Sequence, residues 1–154
     1  MSRTRWLALA LLCSGCTPGA YAPASSAGAP PSATVTTIDV DLTEDPDGST
    51  PAGTGGGYKP LITSVAVGSY VQFHNSDGFA HTATSFTGTT FPQGYPFGNG
   101  ALSQSGGTLS GGWSSGSLQP NAVSQALLAD KAGTYLFGCY YHYGTPMRAV
   151  LNVQ

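Results

Sequence analysis

From Thr34 to Leu42 the chain reads TVTTIDVDL, apolar and polar positions alternating along β-branched residues, which predicts a strand with one buried face. Ser64 to Asn75 (SVAVGSYVQFHN) repeats the pattern around a Gly-Ser break, so it reads as strand, turn, strand. Val71 and Phe73 then face a core, and Gln72 and His74 face out. Shorter runs follow at His81 to Phe86 and Val123 to Leu128. Thr134 to Cys139 (TYLFGC) sets Tyr135, Phe137 and Cys139 on one side, and Met147 to Val153 (MRAVLNV) does the same with Met147, Ala149, Leu151 and Val153.

Turn residues separate these runs: EDPDG at 44–48, a Gly-containing loop at 54–57 and DKAG at 130–133. The D-x-D-G fragment lacks the distal glutamate of a calcium loop, and Pro46 interrupts it. About seven short strands at this spacing predict an all-β fold, a Greek-key β-sandwich. One stretch resists the pattern. Gly88 to Gly116 carries nine glycines and no period. It is a long Gly/Ser-rich insertion that holds either a short strand pair near Leu109 and Trp113 or a flexible loop.

Composition agrees with a turn-rich β domain, since charged residues are 8% of the chain and Gly, Pro, Ser and Thr abound. With a net charge of −2 and no Lys/Arg cluster, nothing points to nucleic acid as a partner. The N-terminus reads as an export signal over residues 1–15. Arg3 and Arg5 precede an apolar run, Trp6 to Cys13, too short to span a bilayer. Cys13-Ser14-Gly15-Cys16 resembles a bacterial lipobox, with Cys16 the lipidated residue although Cys13 stands where Leu is usual. Ala20-Tyr21-Ala22 is a competing A-x-A site, made poorer by Pro23. Residues 16–33 are then a Pro/Ala/Ser-rich linker, reaching about 3 Å per residue where extended, and residues 34–154 the folded domain. The expected location is the periplasm or cell surface, with a membrane anchor through Cys16.

Export changes the meaning of the remaining cysteine. With Cys13 removed and Cys16 lipidated, Cys139 stands alone in an oxidising compartment, where a free thiol is prone to oxidation. Its neighbours suggest an occupant. Cys139-x2-His142-x4-Met147 presents a thiolate, an imidazole and a thioether, a soft set that suits copper better than zinc. A blue-copper site needs a second histidine, and His74 and His81 are the two remaining. His74 lies mid-strand on the outward side. His81 follows a turn, Asp77 to Ala80, that can aim its ring inward, so His81 is taken as the fourth ligand.

From about Ile62 onward these segments resemble the cupredoxins, plastocyanin-like members above all. Phe73 to His81 (FHNSDGFAH) is similar to the family's F-x-N-x-x-G-F-x-H. Gly133 to Cys139 (GTYLFGC) is similar to G-x-Y-x-F-x-C, and Trp113 to Pro120 (WSSGSLQP) to W-x-S-G-x-L-x-P. The resemblance implies one type 1 copper ion, with His81, Cys139 and His142 as equatorial ligands and Met147 as the axial one. It also implies a Thr82 N–H bond to the cysteine sulfur, and Asn75 tying the two ligand-bearing loops together. One position departs from the photosynthetic members: Gly138 stands where they carry an aromatic residue before the cysteine.

The function so implied is one-electron transfer without enzymatic activity, since four ligands leave no open position for a substrate. His142 would be the electron port, rimmed by Tyr141, Tyr143 and Pro146. Transient redox partners such as cytochromes or oxidoreductases, and a monomeric state, are expected. The rival function is a copper carrier or storage protein. Such proteins offer several exchangeable Met or His sites, whereas Met147 is the single methionine after Met1.

Overall fold

The structure is a computed structural model that describes residues 33–44 and 47–154; the expected signal, Cys16 and nearly all of the linker lie outside the described residues, as do Asp45 and Pro46. Two sheets face each other. The first contains β1 (Val35–Val40), β4 (Tyr58–Lys59), β6 (Tyr70–Asn75) and β10 (Leu127–Leu128), in the order β10-β6-β1-β4. The second contains β5 (Ile62–Val65), β7 (Thr84–Phe86), β8 (Gln104–Ser105), β9 (Ser114–Ser115), β11 (Gly133–Gly138) and β12 (Arg148–Val153), in the order β5-β12-β11-β7-β9-β8. A ribbon of β2 (Gly48–Thr50) and β3 (Gly53–Gly55) forms a separate two-stranded sheet. The chain changes sheet between β4 and β5, β5 and β6, β6 and β7, β9 and β10, and β10 and β11. Those crossings make it a Greek-key sandwich rather than a meander.

Alternation places the core as expected. Val71 and Phe73 of β6 are fully buried, and Ile38 and Val40 of β1 sit beside them. Phe137, Ala149, Leu151 and Val153 face them from the second sheet. At the centre, Phe137 meets Tyr58 at 4.8 Å, Phe73 at 5.3 Å and Trp113 at 5.6 Å between ring centroids. Edge-on and tilted contacts of this kind suit the aromatic quadrupole. A smaller cluster lies on the other face of β11 and β12, where Leu136 and Val150 pack with Ala52 and Phe91. The break between β5 and β6 is a turn at Gly68, whose φ of +85° suits glycine.

The region 88–116 is ordered and extends the second sheet. It holds a 3-10 turn at Asn99–Leu102 and the paired strands β8 and β9, with β9 joined to β7 at Thr84↔Ser114. Leu109 and Trp113 enter the main core. Its serines replace the missing apolar period: Ser115 Oγ accepts the Ala83 N–H at 2.8 Å, and Ser114 Oγ donates to the Ala101 carbonyl at 2.7 Å. Small hydroxyls satisfy buried main-chain groups where the glycine-rich backbone offers no long ladder. The strand expected over 81–86 is confined to Thr84–Phe86, with His81 in an isolated bridge to Leu118. The residues read as loop at 54–57 include part of β3.

Candidate metal centre

The centre lies where β6 leads into β7 and β11 into β12. The first connection brings His81, whose main chain exchanges two hydrogen bonds with Leu118, 3.1 Å from N–H to carbonyl one way and 2.8 Å the other. The second connection, Cys139 to Met147, is folded on itself. Cys139 N–H donates to the Met147 carbonyl at 2.9 Å, and the His142 carbonyl accepts the N–H groups of Thr145 at 3.0 Å and Met147 at 3.2 Å. Both ends of the segment are thereby held beside the sheet.

Three donor atoms converge. Cys139 Sγ lies 3.7 Å from His81 Nδ1 and 3.6 Å from His142 Nδ1, and the two imidazole nitrogens are 3.2 Å apart. Cys139 and His81 are fully buried, while His142 is partly exposed. A triangle with those edges has a circumradius of about 2.0 Å, the length of a bond from a transition metal to an imidazole nitrogen and slightly under one to a thiolate. The triangle therefore fits a metal ion near its own plane. Met147 is fully buried at the end of the same segment.

Asp77, missed as a functional residue from sequence, orients His81. Its Oδ2 accepts from His81 Nε2 at 3.1 Å and from the Leu42 N–H at 3.1 Å, while its Oδ1 accepts the Gly78 N–H at 2.7 Å. Burial pushes the carboxyl upward, but these donors outweigh it and hold Asp77 below the usual carboxylate range. An ionised Asp77 keeps the proton of His81 on Nε2 and leaves Nδ1 a free lone pair facing Cys139. Burial lowers the His81 pKa despite that carboxylate, and burial followed by the nearby His81 lowers that of His142. Burial raises the Cys139 thiol against the N–H donors of Thr82, Tyr141 and His142. The signal for Asp77 was present as a carboxylate four residues before a histidine in a turn.

Thr82 N–H points at Cys139 Sγ over 3.4 Å, and Thr82 Oγ1 accepts the Tyr140 N–H at 2.8 Å. Tyr58 fixes Thr82 from below, its hydroxyl donating to the Thr82 carbonyl at 2.5 Å. Asn75 braces the first connection and ties it to Leu118. Its Nδ2 donates to the carbonyls of Phe79 at 2.8 Å and Leu118 at 2.9 Å, and its Oδ1 accepts the Asp77 N–H at 3.0 Å. These bonds run to Phe79, Leu118 and Asp77 rather than to the Cys139–Met147 segment. His74 stays at the surface, 3.1 Å from Asp39.

The rim differs from the expected one. Tyr141 is exposed and Pro146 half-buried, but Tyr143 is buried, its hydroxyl donating to the Pro92 carbonyl at 2.9 Å. Gly138 explains why. A β-carbon there would sit 3.0 Å from the Tyr143 ring and 3.0 Å from the Met147 carbonyl, so Tyr143 fills the space beside the strand. Phe79 takes the vacant rim position: it is exposed, with its ring centroid 4.8 Å from that of His81 and 5.3 Å from that of His142. The sequence from 78 to 129 and from 132 to 147 contains no Asp, Glu, Lys or Arg, so the segments around His142 carry no fixed charge.

No family model matches this chain, and no curated protein matches it. Solved structures do. The chain is similar to a purple cupredoxin from Nitrosopumilus maritimus, at 17% identity over 77% of this chain and 98% of that one, with a TM-score of 0.46. It is similar to plastocyanin from the fern Dryopteris crassirhizoma, at 16% identity over 77% and 100%, TM-score 0.46. A reduced amicyanin variant matches at 15% identity over 78% and 82%, TM-score 0.48.

Proposed function

We propose that this chain is a type 1 copper protein that carries single electrons between extracytoplasmic redox partners. The observation that carries the reading is the buried triangle of His81 Nδ1, Cys139 Sγ and His142 Nδ1. Two imidazoles and one thiolate in a trigonal arrangement, with a methionine thioether close by in sequence, are the donor set of blue-copper centres. His81, Cys139 and His142 would hold the ion, and Met147 would supply a weaker thioether donor. When bound, copper supplies the Cu(II)/Cu(I) couple.

The residues around the site do the rest. Asp77 holds the His81 ring, the Thr82 N–H favours the anionic form of the sulfur, and the sandwich keeps these groups in place with little reorganisation. His142, partly exposed between Phe79 and Tyr141, would be the port for the electron. An uncharged aromatic rim suits small, short-lived interfaces with partners such as cytochromes or oxidoreductases, met in the periplasm or at the cell surface with Cys16 as tether. With four protein donors the centre offers no open position, so no substrate is transformed there.

The test is to add Cu(II) to the purified apoprotein. An intense blue or green thiolate-to-copper band and a reversible one-electron wave are expected; a colourless complex with labile metal sinks the reading. Proton release gives a second check. The thiol pKa is raised from 9.0, so it carries its proton at pH 7.5; both histidines are lowered from 6.5, so they carry none extra. Uptake of copper at that pH should release a single proton, read by calorimetry in buffers of different ionisation enthalpy. Affinity should rise with pH, about tenfold per unit, until the thiol pKa is reached.

Asp77→Asn keeps the size of the side chain and removes its charge. Loss of a partner that orients a ligand costs about 10- to 100-fold in metal affinity. Because the lost carboxylate favours the more highly charged ion, Cu(II) should weaken more than Cu(I), and the reduction potential should rise. Voltammetry and chelator competition measure both.

A further inference from the structure

We propose that Gly57 is a positioning residue for the Met147 thioether, leaving it the room that any side chain would take and forming the wall it rests on. The inference deepens the copper reading and rests on it. A β-carbon on Gly57 would lie 2.6 Å from Met147 Cγ, 3.2 Å from Cε and 3.3 Å from Sδ. The outer half of the methionine is therefore packed on bare main chain. Gly57 also adopts a φ of +71°, which glycine takes without strain.

The wall is itself fixed. The Gly57 carbonyl accepts the Asp41 N–H at 3.1 Å, which ties it to the end of β1. Gly56 exchanges two hydrogen bonds of 3.1 Å with Arg148, the residue after Met147. Gly55 approaches so closely that a β-carbon there would be 2.2 Å from the Arg148 carbonyl. Arg148 closes the clamp, with Nε donating to the Thr54 carbonyl at 2.7 Å and the guanidinium 5.2 Å from the Phe91 ring centroid and 5.0 Å from that of Tyr143. Three consecutive glycines thus lie against Met147 and Arg148.

The arrangement has a purpose that packing alone does not require. Methionine is unbranched and adapts to many shapes, so a sulfur with no rigid neighbour would not hold one distance. An axial donor tunes a blue-copper centre through that distance. A main-chain wall pinned at Gly55, Gly56 and Gly57 sets it.

Gly57→Ala should alter the ratio of the two thiolate-to-copper bands and the rhombicity of the Cu(II) EPR spectrum, and shift the potential. In a Met147→Ala background the same substitution should alter none of them. An unchanged spectrum in folded Gly57→Ala, or an equal change in both backgrounds, overturns the proposal. Should Gly57→Ala not fold, wild-type protein labelled with ε-¹³C-methionine decides. A nuclear Overhauser contact between the Met147 methyl and the Gly57 α-protons is expected, and its absence overturns the proposal. A colourless copper-treated wild type sinks the copper reading and the positioning role with it. A blue wild type with an unaffected Gly57→Ala sinks the positioning role alone.

Discussion

Cys139→Ala should abolish the intense visible band and the reversible electrochemical wave while leaving the domain folded. Cys139 is fully buried at the end of β11, among the core residues, and its sulfur faces both imidazoles. A methyl in place of the thiol leaves a void smaller than a methylene deletion in a large side chain, so the apoprotein should lose on the order of 1 kcal/mol. The metal loses its one anionic donor. Two imidazoles still bind Cu(II), but without a thiolate there is no charge-transfer band. Met147→Ala is the contrast: it removes only the axial donor and should keep a coloured complex with a changed potential. Colour that survives in Cys139→Ala would overturn the assignment. A wild type that is colourless and gives up copper readily would return the question to a carrier.

Much of this site was legible because its chemistry is local in sequence. Cys139, His142 and Met147 share one nine-residue segment, and a set of thiolate, imidazole and thioether suits copper above other metals. Period-two alternation likewise marked β1, β6, β11 and β12, since each turns one face into the main core; Leu136 and Val150 bury part of the other face of β11 and β12 as well. What the sequence hid were interactions with no periodic signature. Residues 88–116, read as either a short strand pair or a flexible loop, hold the β8–β9 pair and are fixed by serine hydroxyls bonded to main-chain groups. Gly57 acts by lacking a side chain, 90 positions from Met147, and nothing local marks it. Tyr143 was read as rim because it lies in the ligand segment, but Gly138 leaves a space beside the strand that its ring fills. Asn75 was read as a link between two loops; its amide bonds within one of them and to Leu118.

Phe137→Ala should cost about 3–5 kcal/mol of stability, the range for removing a large buried aromatic ring. Phe137 is fully buried and touches Tyr58, Phe73 and Trp113, which come from three separate parts of the chain. Removing it leaves three rings facing one void. For a domain of this size the loss should lower the apoprotein's Tm by roughly 10 °C or more. The site should feel it as well. Phe137, in β11, precedes Cys139 by two residues, and Tyr58, its nearest aromatic partner, holds Thr82 in place against the sulfur. Loosening Tyr58 should weaken the Thr82 N–H bond to the thiolate and shift the visible band. On the copper reading the folded donor set binds the ion more tightly than the unfolded chain does, so saturating metal should restore part of the lost stability. Thermal unfolding of apo and copper-loaded forms, wild type beside variant, measures each term. A variant with unchanged Tm would mean that this aromatic centre does not hold the two sheets together.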